Sequence, residues 1–200
     1  MAFTFFFRDL QVLELTVENI LPYICGKSSI KIWDAGCAMG VEPYFIGILF
    51  AEYMGLFRFR NVQIIASDYD EGGDFDAIIE EGVYPEEPLS RISEYLFKKY
   101  FFPAGKPGYF QIVDIIKDRI NFLKHDLLSY KEIGTEFNLV ICKNVLLYLS
   151  SEERIEVIKM FHRALAEDGF FVTEQTQKLP EELLHLFEKK VSDGQLFKKI

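Results

Sequence analysis

Apolar residues recur along the chain at two spacings, and the spacing changes wherever glycine, proline or an acid interrupts. Residues 10–25 (LQVLELTVENILPYIC) carry apolar groups three and four apart, the repeat of a helix with one buried face. IKIWDA (30–35) is a short continuous apolar run that stops at an acid and a glycine, as a buried strand does. From Pro43 to Phe57 the pattern suits a buried helix, with proline in the first turn, where its missing N–H costs nothing. VQIIASD (62–68) reads as a second buried strand. Residues 71–82 predict a weak helix, because Gly72 and Gly73 oppose it. FNLVIC (137–142) and GFFVTEQ (169–175) are further strands. Between them, Glu152 to Ala166 reads as an amphipathic helix capped by Ser150 or Ser151 and closed by Asp168-Gly169.

Strands that alternate with helices predict an α/β fold, a mostly parallel sheet with helices on both faces. The stretch from Tyr84 to Phe122 breaks that rhythm. It holds a helix around 91–101, a Pro/Gly loop (FPAGKPG) and two short strand-like runs near 109–113 and 119–123. It reads as a small, partly antiparallel insert or cap at about 84–122 within one domain spanning 1–200.

Composition narrows the class. Two hundred residues, half of them apolar and twenty of them Phe, are enough to bury a sizeable core and exclude disorder. A formal charge of −9 repels phosphate backbones and disfavours nucleic-acid binding. The lysine pairs at 98–99 and 198–199 read as solvated surface. Cys25, Cys37 and Cys142 have no metal-ligand spacing, so no metal site is expected, and buried free thiols in a reducing compartment are the default. The opening MAFTFFFRDL is interrupted by Arg8 and Asp9, and no apolar run reaches membrane-spanning length. A soluble cytoplasmic protein without membrane insertion is expected; oligomeric state is not legible.

In an open parallel sheet, ligands bind beyond the carboxyl ends of the strands. The first strand ends at Asp34 and runs into Gly36-Cys-Ala-Met-Gly40; the second ends at Asp68, with Asp70 next. The run 119–123 leads to His125-Asp126, and another strand ends at Lys143-Asn144. Gly36 and Gly40 let a backbone approach a ligand closely, yet the loop is neither GxGxxG nor a Walker loop. Asp68 is placed for ribose hydroxyls, and Asp126 for an adenine amino group. Taken singly, the glycines read as a plain βα turn and either acid as a cap or turn residue. In order at successive strand ends they favour a nucleoside cofactor without a pyrophosphate, S-adenosylmethionine. Asp70 reads as a turn residue, His162 and His185 as packing or surface groups, and His125 adjoins the site without an assigned role.

Four segments resemble the CheR-type chemotaxis receptor methyltransferases, in order. TFFFRD (4–9) is similar to T-x-FFR-[DE], and GCAMGVEPYFIGI (36–48) to G-C-S-T-G-[EQ]-E-P-Y-S-I-A. ASDYD (66–70) is similar to A-[ST]-D-I-D, and FNLVICKNVLLYL (137–149) to F-D-[LV]-I-F-C-R-N-V-[LM]-I-Y-F. GVYP (82–85) and INFLKHDLL (120–128) match weaker signals. The resemblance implies a class I SAM-dependent methyltransferase fold, Rossmann-like, using S-adenosylmethionine and releasing S-adenosylhomocysteine. The implied acceptor is a glutamate carboxylate on the cytoplasmic helices of a chemoreceptor, or another protein acceptor. It further implies Thr4 and Arg8 over the cofactor, Arg8 near the reacting centre, and Glu42 on the methionine amino group. Gly36 and Gly40 would belong to the cradle and Asp68 would take the ribose. Asp126 and Leu127 would frame the adenine, Lys143 and Asn144 would line the cleft, and Tyr148 would face the acceptor. By itself Tyr148 reads equally as a core aromatic with its hydroxyl at the edge.

The sequence departs from the family pattern at Ala2, Ala38-Met39, Val41, Asp126, Lys143 in place of arginine, and Glu174–Gln177. Gly72-Gly73 also weakens a helix that the family keeps. The chain starts almost on the first motif, so the family's usual N-terminal helical domain is not expected here. These departures keep two alternatives open: a degenerate cofactor-binding regulatory module without catalysis, or a methyltransferase for another acceptor.

Overall fold

A computed structural model describes residues 10–200 and contains two sheets. The helices are α1 (Leu10–Ile24), α2 (Val41–Met54), α3 (Leu56–Phe59), α4 (Phe75–Glu81), α5 (Glu86–Leu89), α6 (Glu94–Tyr100), α7 (Asp114–Lys117) and α8 (Ser151–Ala164). The strands are β1 (Ile30–Ala35), β2 (Val62–Asp68), β3 (Val83–Pro85), β4 (Phe101–Pro103), β5 (Tyr109–Ile112), β6 (Ile120–Lys124), β7 (Phe137–Ile141), β8 (Leu165–Thr173), β9 (Phe187–Lys189) and β10 (Gln195–Lys199). The main sheet runs β6-β2-β1-β7-β8-β10-β9, and the smaller one runs β3-β5-β4. β6, β2, β1, β7 and β8 pair in parallel, whereas β10 is antiparallel to both of its neighbours.

Both faces of the main sheet are covered. Alternate residues of a strand point to opposite faces, and β1 sends Ile30 and Ile32 into one apolar cluster and Trp33 and Ala35 into another. The first cluster gathers α1, α2 and the small sheet; the second gathers α8 and the β9–β10 hairpin. Helix α2 is apolar on nearly every side because it is buried between the main sheet and the cap. The Trp33 indole N–H donates to the Ser67 hydroxyl at 2.8 Å and so joins β1 to β2 inside the core.

Several boundaries move from their predicted places, each for a physical reason. Helix α2 begins at Val41, so Pro43 is its third residue, still within the first turn. It stops at Met54, because Gly55 (φ 79°) leaves helical space before α3. Helix α4 starts only at Phe75, since the Asp70 carboxylate gathers the N–H groups of Gly73, Asp74 and Phe75 into a turn. Helix α8 ends at Ala164, and Asp168-Gly169 lies inside β8 rather than closing a helix. There β8 bulges against β7: Phe137 faces Leu165, but Leu139 faces Phe170. A β-carbon at Gly169 would stand 2.8 Å from the Phe137 carbonyl oxygen.

The run at 119–123, expected within the insert, is β6 and pairs with β2 at the edge of the main sheet. The antiparallel cap therefore closes at Ile112. The β9–β10 hairpin carries no expectation from the sequence; it forms because Phe187 and Phe197 pack with Phe171 on β8. Lys198, expected as plain surface, pairs with Asp168 at 2.8 Å, and Lys199 donates to the Leu165 carbonyl. Of the three thiols, Cys37 and Cys142 are buried, while Cys25 is half-buried beside the Arg58 guanidinium.

Candidate functional site

β1 lies between β2 on one side and β7 on the other, so the chain order reverses between β1 and β7. That is the switch point at which a parallel sheet leaves a crevice. A cavity of about 460 Å³ opens there, beyond the carboxyl ends of β1, β2, β6 and β7. Gly36 and Val145 line its base, Asp68 and Tyr69 one side, and His125, Asp126, Leu127 and Leu128 another. The volume is that of a small-molecule site.

Backbone bonds hold the glycine loop against the end of β2. The N–H groups of Gly36 and Cys37 both donate to the Ser67 carbonyl, at 2.7 and 3.1 Å. The Ala38 N–H donates to Asp68 Oδ2 at 2.9 Å. The Tyr84 hydroxyl, from the cap, donates to the Met39 carbonyl at 2.8 Å. Gly36 and Gly40 adopt φ of 91° and 83°. A β-carbon at Gly36 would meet Val145 Cγ2 at 2.2 Å, and one at Gly40 would meet Ile79 Cγ1 at 2.4 Å. The room beside both glycines is thus filled by the chain's own side chains.

Behind the loop lies a charged cluster. Glu42, in the first turn of α2, accepts from Lys143 Nζ at 2.7 Å, and the lysine side chain is fully buried. Asp34, at the end of β1, is 0% exposed, and neither of its carboxyl oxygens has a hydrogen-bond partner among the described residues. Burial first, then the nearby Glu42, pushes Asp34 well above the usual carboxylate range, against the pull of Lys143. Glu174, at the end of β8, is also buried. Its Oε2 accepts from the Asn144 N–H at 3.0 Å and from the Thr173 hydroxyl at 2.7 Å. Glu174 thereby holds Asn144 at φ 57°, on the turn that carries Lys143. Burial and these carboxylates push the thiol of Cys142 upward, and burial with Asp34 and Asp68 does the same to Cys37, so both stay protonated.

The residues singled out in the sequence divide into four groups. Gly36, Asp68, Asp126 and Leu127 meet at the cavity. Asp68 Oδ2 is committed to the loop and its Oδ1 accepts a longer bond (3.4 Å) from the Asp70 N–H, while Asp126 Oδ1 accepts from Leu128 N–H at 2.9 Å, capping a 3₁₀ turn, and Asp126 Oδ2 has no bond to the described residues. Gly40, Glu42, Lys143 and Asn144 shape the adjoining cluster. Tyr148 is 80% exposed at the end of a 3₁₀ turn whose Leu146 is buried in the core, so its ring points away from that core. Thr4 and Arg8 lie outside the described residues. Among the described residues no group of three or more acids, histidines or cysteines is arranged for a metal.

Asp34, Glu174, Tyr84 and His125 carry more of the site than their sequence positions suggest. His125 Nε2 donates to the Lys131 carbonyl (2.9 Å), its ring meets Trp33 edge-on, and buried Nδ1 has no partner among the described residues. The sequence signal available for three of them was position: Asp34, His125 and Glu174 all stand at strand ends.

Comparison with known proteins gives a consistent picture. Residues 2–194 match the sequence model of the CheR methyltransferase SAM-binding domain. The chain is 32% identical over 177 residues to a chemotaxis protein methyltransferase of Borreliella burgdorferi, covering 84% of this chain and 62% of that protein. It is 30% identical over 190 residues to chemotaxis protein methyltransferase 1 of Pseudomonas aeruginosa, covering 89% and 68%. The chain therefore spans about two thirds of the length of these relatives. Among solved structures, a methyltransferase from Geobacter sulfurreducens superposes with a TM-score of 0.52 at 12% identity, covering 98% of this chain and 80% of that one. PKMT2 from Rickettsia typhi, in complex with AdoHcy, gives 0.51 at 15% identity, covering 86% and 26%. These two likenesses establish the methyltransferase fold.

Proposed function

This chain belongs to the CheR methyltransferase family, and we propose that it transfers a methyl group from S-adenosylmethionine to a glutamate carboxylate on the cytoplasmic helices of a chemoreceptor. The observation that carries the reading is the cavity at the β1/β7 switch point, flanked by Asp68, Asp126 and an acid-rich cluster around a single buried lysine. The residues fit the cofactor. The cavity has a nucleoside's scale, Asp68 and Asp126 both line it, and the acids Glu42 and Glu174 beside it suit a ligand of net positive charge.

In this reading Asp68 holds the ribose hydroxyls, Asp126 and Leu127 frame the adenine, and Glu42 holds the methionine ammonium. Gly36 and Gly40 set the loop, and Lys143 and Asn144 line the cleft. Thr4 and Arg8 close over the site, Arg8 orients the acceptor carboxylate, and Tyr148 faces the acceptor. Bound there, S-adenosylmethionine supplies a methyl on a sulfonium. The acceptor oxygen forms the new O–C bond while the C–S pair returns to sulfur. No proton moves, so the residues need only align the two reactants and exclude water. The domain is taken as residues 1–200 with an inserted cap, acting in the cytoplasm; no helix among the described residues is long and apolar enough to cross a membrane.

Incubation with labelled S-adenosylmethionine and receptor signalling fragments tests the reading. Base-labile methyl incorporation is the expected result, and its absence alongside measurable cofactor binding would overturn it. That second result would support a regulatory cofactor-binding module instead, a reading favoured by one observation: Glu42 is already engaged by Lys143.

A further inference from the structure

The parallel pairing of β7 with β8 ends in an exchange of acceptor. The Cys142 N–H donates to the Val172 carbonyl at 3.0 Å. Two residues further, a regular parallel ladder would send the Asn144 N–H to the main-chain carbonyl of Glu174. It goes instead to the side chain of that residue, to Oε2 at 3.0 Å. The Thr173 hydroxyl donates to the same oxygen at 2.7 Å, and Glu174 is 4% exposed, so water hardly competes for it. A side-chain acceptor in place of a main-chain one lets the two strands part while the bond between them is kept. Asn144 turns to φ 57°, a left-handed conformation that surrounding contacts must hold.

Beyond Asn144 the chain becomes a wall of the cavity. Val145 stands where a Gly36 β-carbon would go, and Val145 and Leu149 both line the opening. Leu146 is buried beneath, and Tyr148 faces outward. Arg154 of α8 grips the far end of this turn: its Nε donates to the Leu146 carbonyl at 3.2 Å and its Nη2 to the Leu149 carbonyl at 3.3 Å. Glu174 grips the near end. We propose that Glu174 is a positioning residue, whose Oε2 sets where the turn at 144–149 stands and so where Tyr148 meets the methyl acceptor. The role falls on the segment 174–177, where the sequence departs from the family pattern. It deepens the methyl-transfer reading, and its kinetic consequence rests on that reading.

The full chain in three forms tests it: unaltered, Glu174→Ala, which removes the acceptor, and Glu174→Gln, whose amide oxygen can stand in for Oε2. Amide hydrogen exchange reads the turn directly. In Glu174→Ala, exchange across 144–149 should quicken about tenfold, as the loss of one buried hydrogen bond implies, while β1 and β2 keep their protection. In Glu174→Gln it should stay close to that of the unaltered chain. Methyl transfer from labelled S-adenosylmethionine to a receptor signalling fragment reads the consequence. In Glu174→Ala, kcat should fall about tenfold or more, as a small misplacement beside reacting groups produces. S-adenosylhomocysteine affinity should change little, because Asp68 and Asp126 line other walls, and Glu174→Gln should recover most of kcat. Equal losses in Glu174→Ala and Glu174→Gln, or loosening spread through the whole fold, overturn the proposal. Unchanged exchange at 144–149 in Glu174→Ala overturns it as well, and so does an unchanged kcat. An unaltered chain that binds S-adenosylhomocysteine but transfers no methyl group removes the acceptor reading alone; the exchange pattern then decides whether Glu174 positions the turn.

Discussion

Gly40 holds φ at 83° with Ile79 standing where a β-carbon would go, so substitution is penalised twice. Gly40→Ala should cost about 2–4 kcal/mol from backbone strain and overpacking, read as a clear fall in the urea midpoint. Lys143 is the opposite case, a long side chain held by charge. Lys143→Met leaves Glu42 without its buried partner and should cost about 3–5 kcal/mol at neutral pH, with a smaller loss in acid, where the carboxylates are protonated. Urea denaturation at two pH values reads both. Asp34 has an unusual pH signature. Its folded-state pKa is raised, so the native chain binds a proton that the unfolded chain has lost once the pH passes about 4. Stability therefore falls as the pH rises from there through the raised pKa. Asp34→Asn should remove that fall and leave the variant more stable than the parent at neutral pH, measured as the urea midpoint against pH.

At the scale of elements, the cap and the glycine loop form one mechanical unit. β3 carries Tyr84, whose hydroxyl donates to the Met39 carbonyl, and burial keeps that phenol protonated. Gly82, at φ 64°, brings the strand this close, with Tyr44 and Ile112 against it. On the far side, Glu52 of α2 accepts from Lys99 and Tyr100 of α6, so both ends of α2 are tied to the cap. Tyr84→Phe should cost about 1–3 kcal/mol for the orphaned carbonyl and weaken S-adenosylhomocysteine binding, because the loop loses its brace. Ser150→Ala provides the contrast. It removes half of the capping box that starts α8 and should cost about 1 kcal/mol, yet leave cofactor affinity unchanged. Calorimetry and denaturation on both variants separate a brace from a cap.

At the scale of the molecule, the formal charge of −9 governs approach more than chemistry. On the proposed function, an acceptor helix carrying glutamates would be repelled by this acidic domain, and salt screens that repulsion over about 10 Å at 0.1 M. The apparent KM for a receptor fragment should therefore fall as ionic strength rises from low values toward 0.15 M. A KM that rises with salt would point to attraction through a basic surface instead.

The order of β1, β2, β7 and β8, the buried character of α2 and the family itself are all legible in the chain. They follow from short-range facts: apolar runs of strand length, a proline in a first turn, glycines after an acid, and motifs in fixed order. Tertiary structure decided the rest. Strand β6 joined the main sheet instead of the cap because Ile64 and Ala66 offered it an open parallel edge. Helix α8 stopped at Ala164 because β8 needed its residues for pairing with β7 and β10. Tyr148, equally readable as a core aromatic, stands 80% exposed. Asp34, Lys143 and Glu174 lie far apart in sequence and look like ordinary charges singly. Folding removes the water around them, and only then does it matter which carboxylate has the lysine and which has nothing.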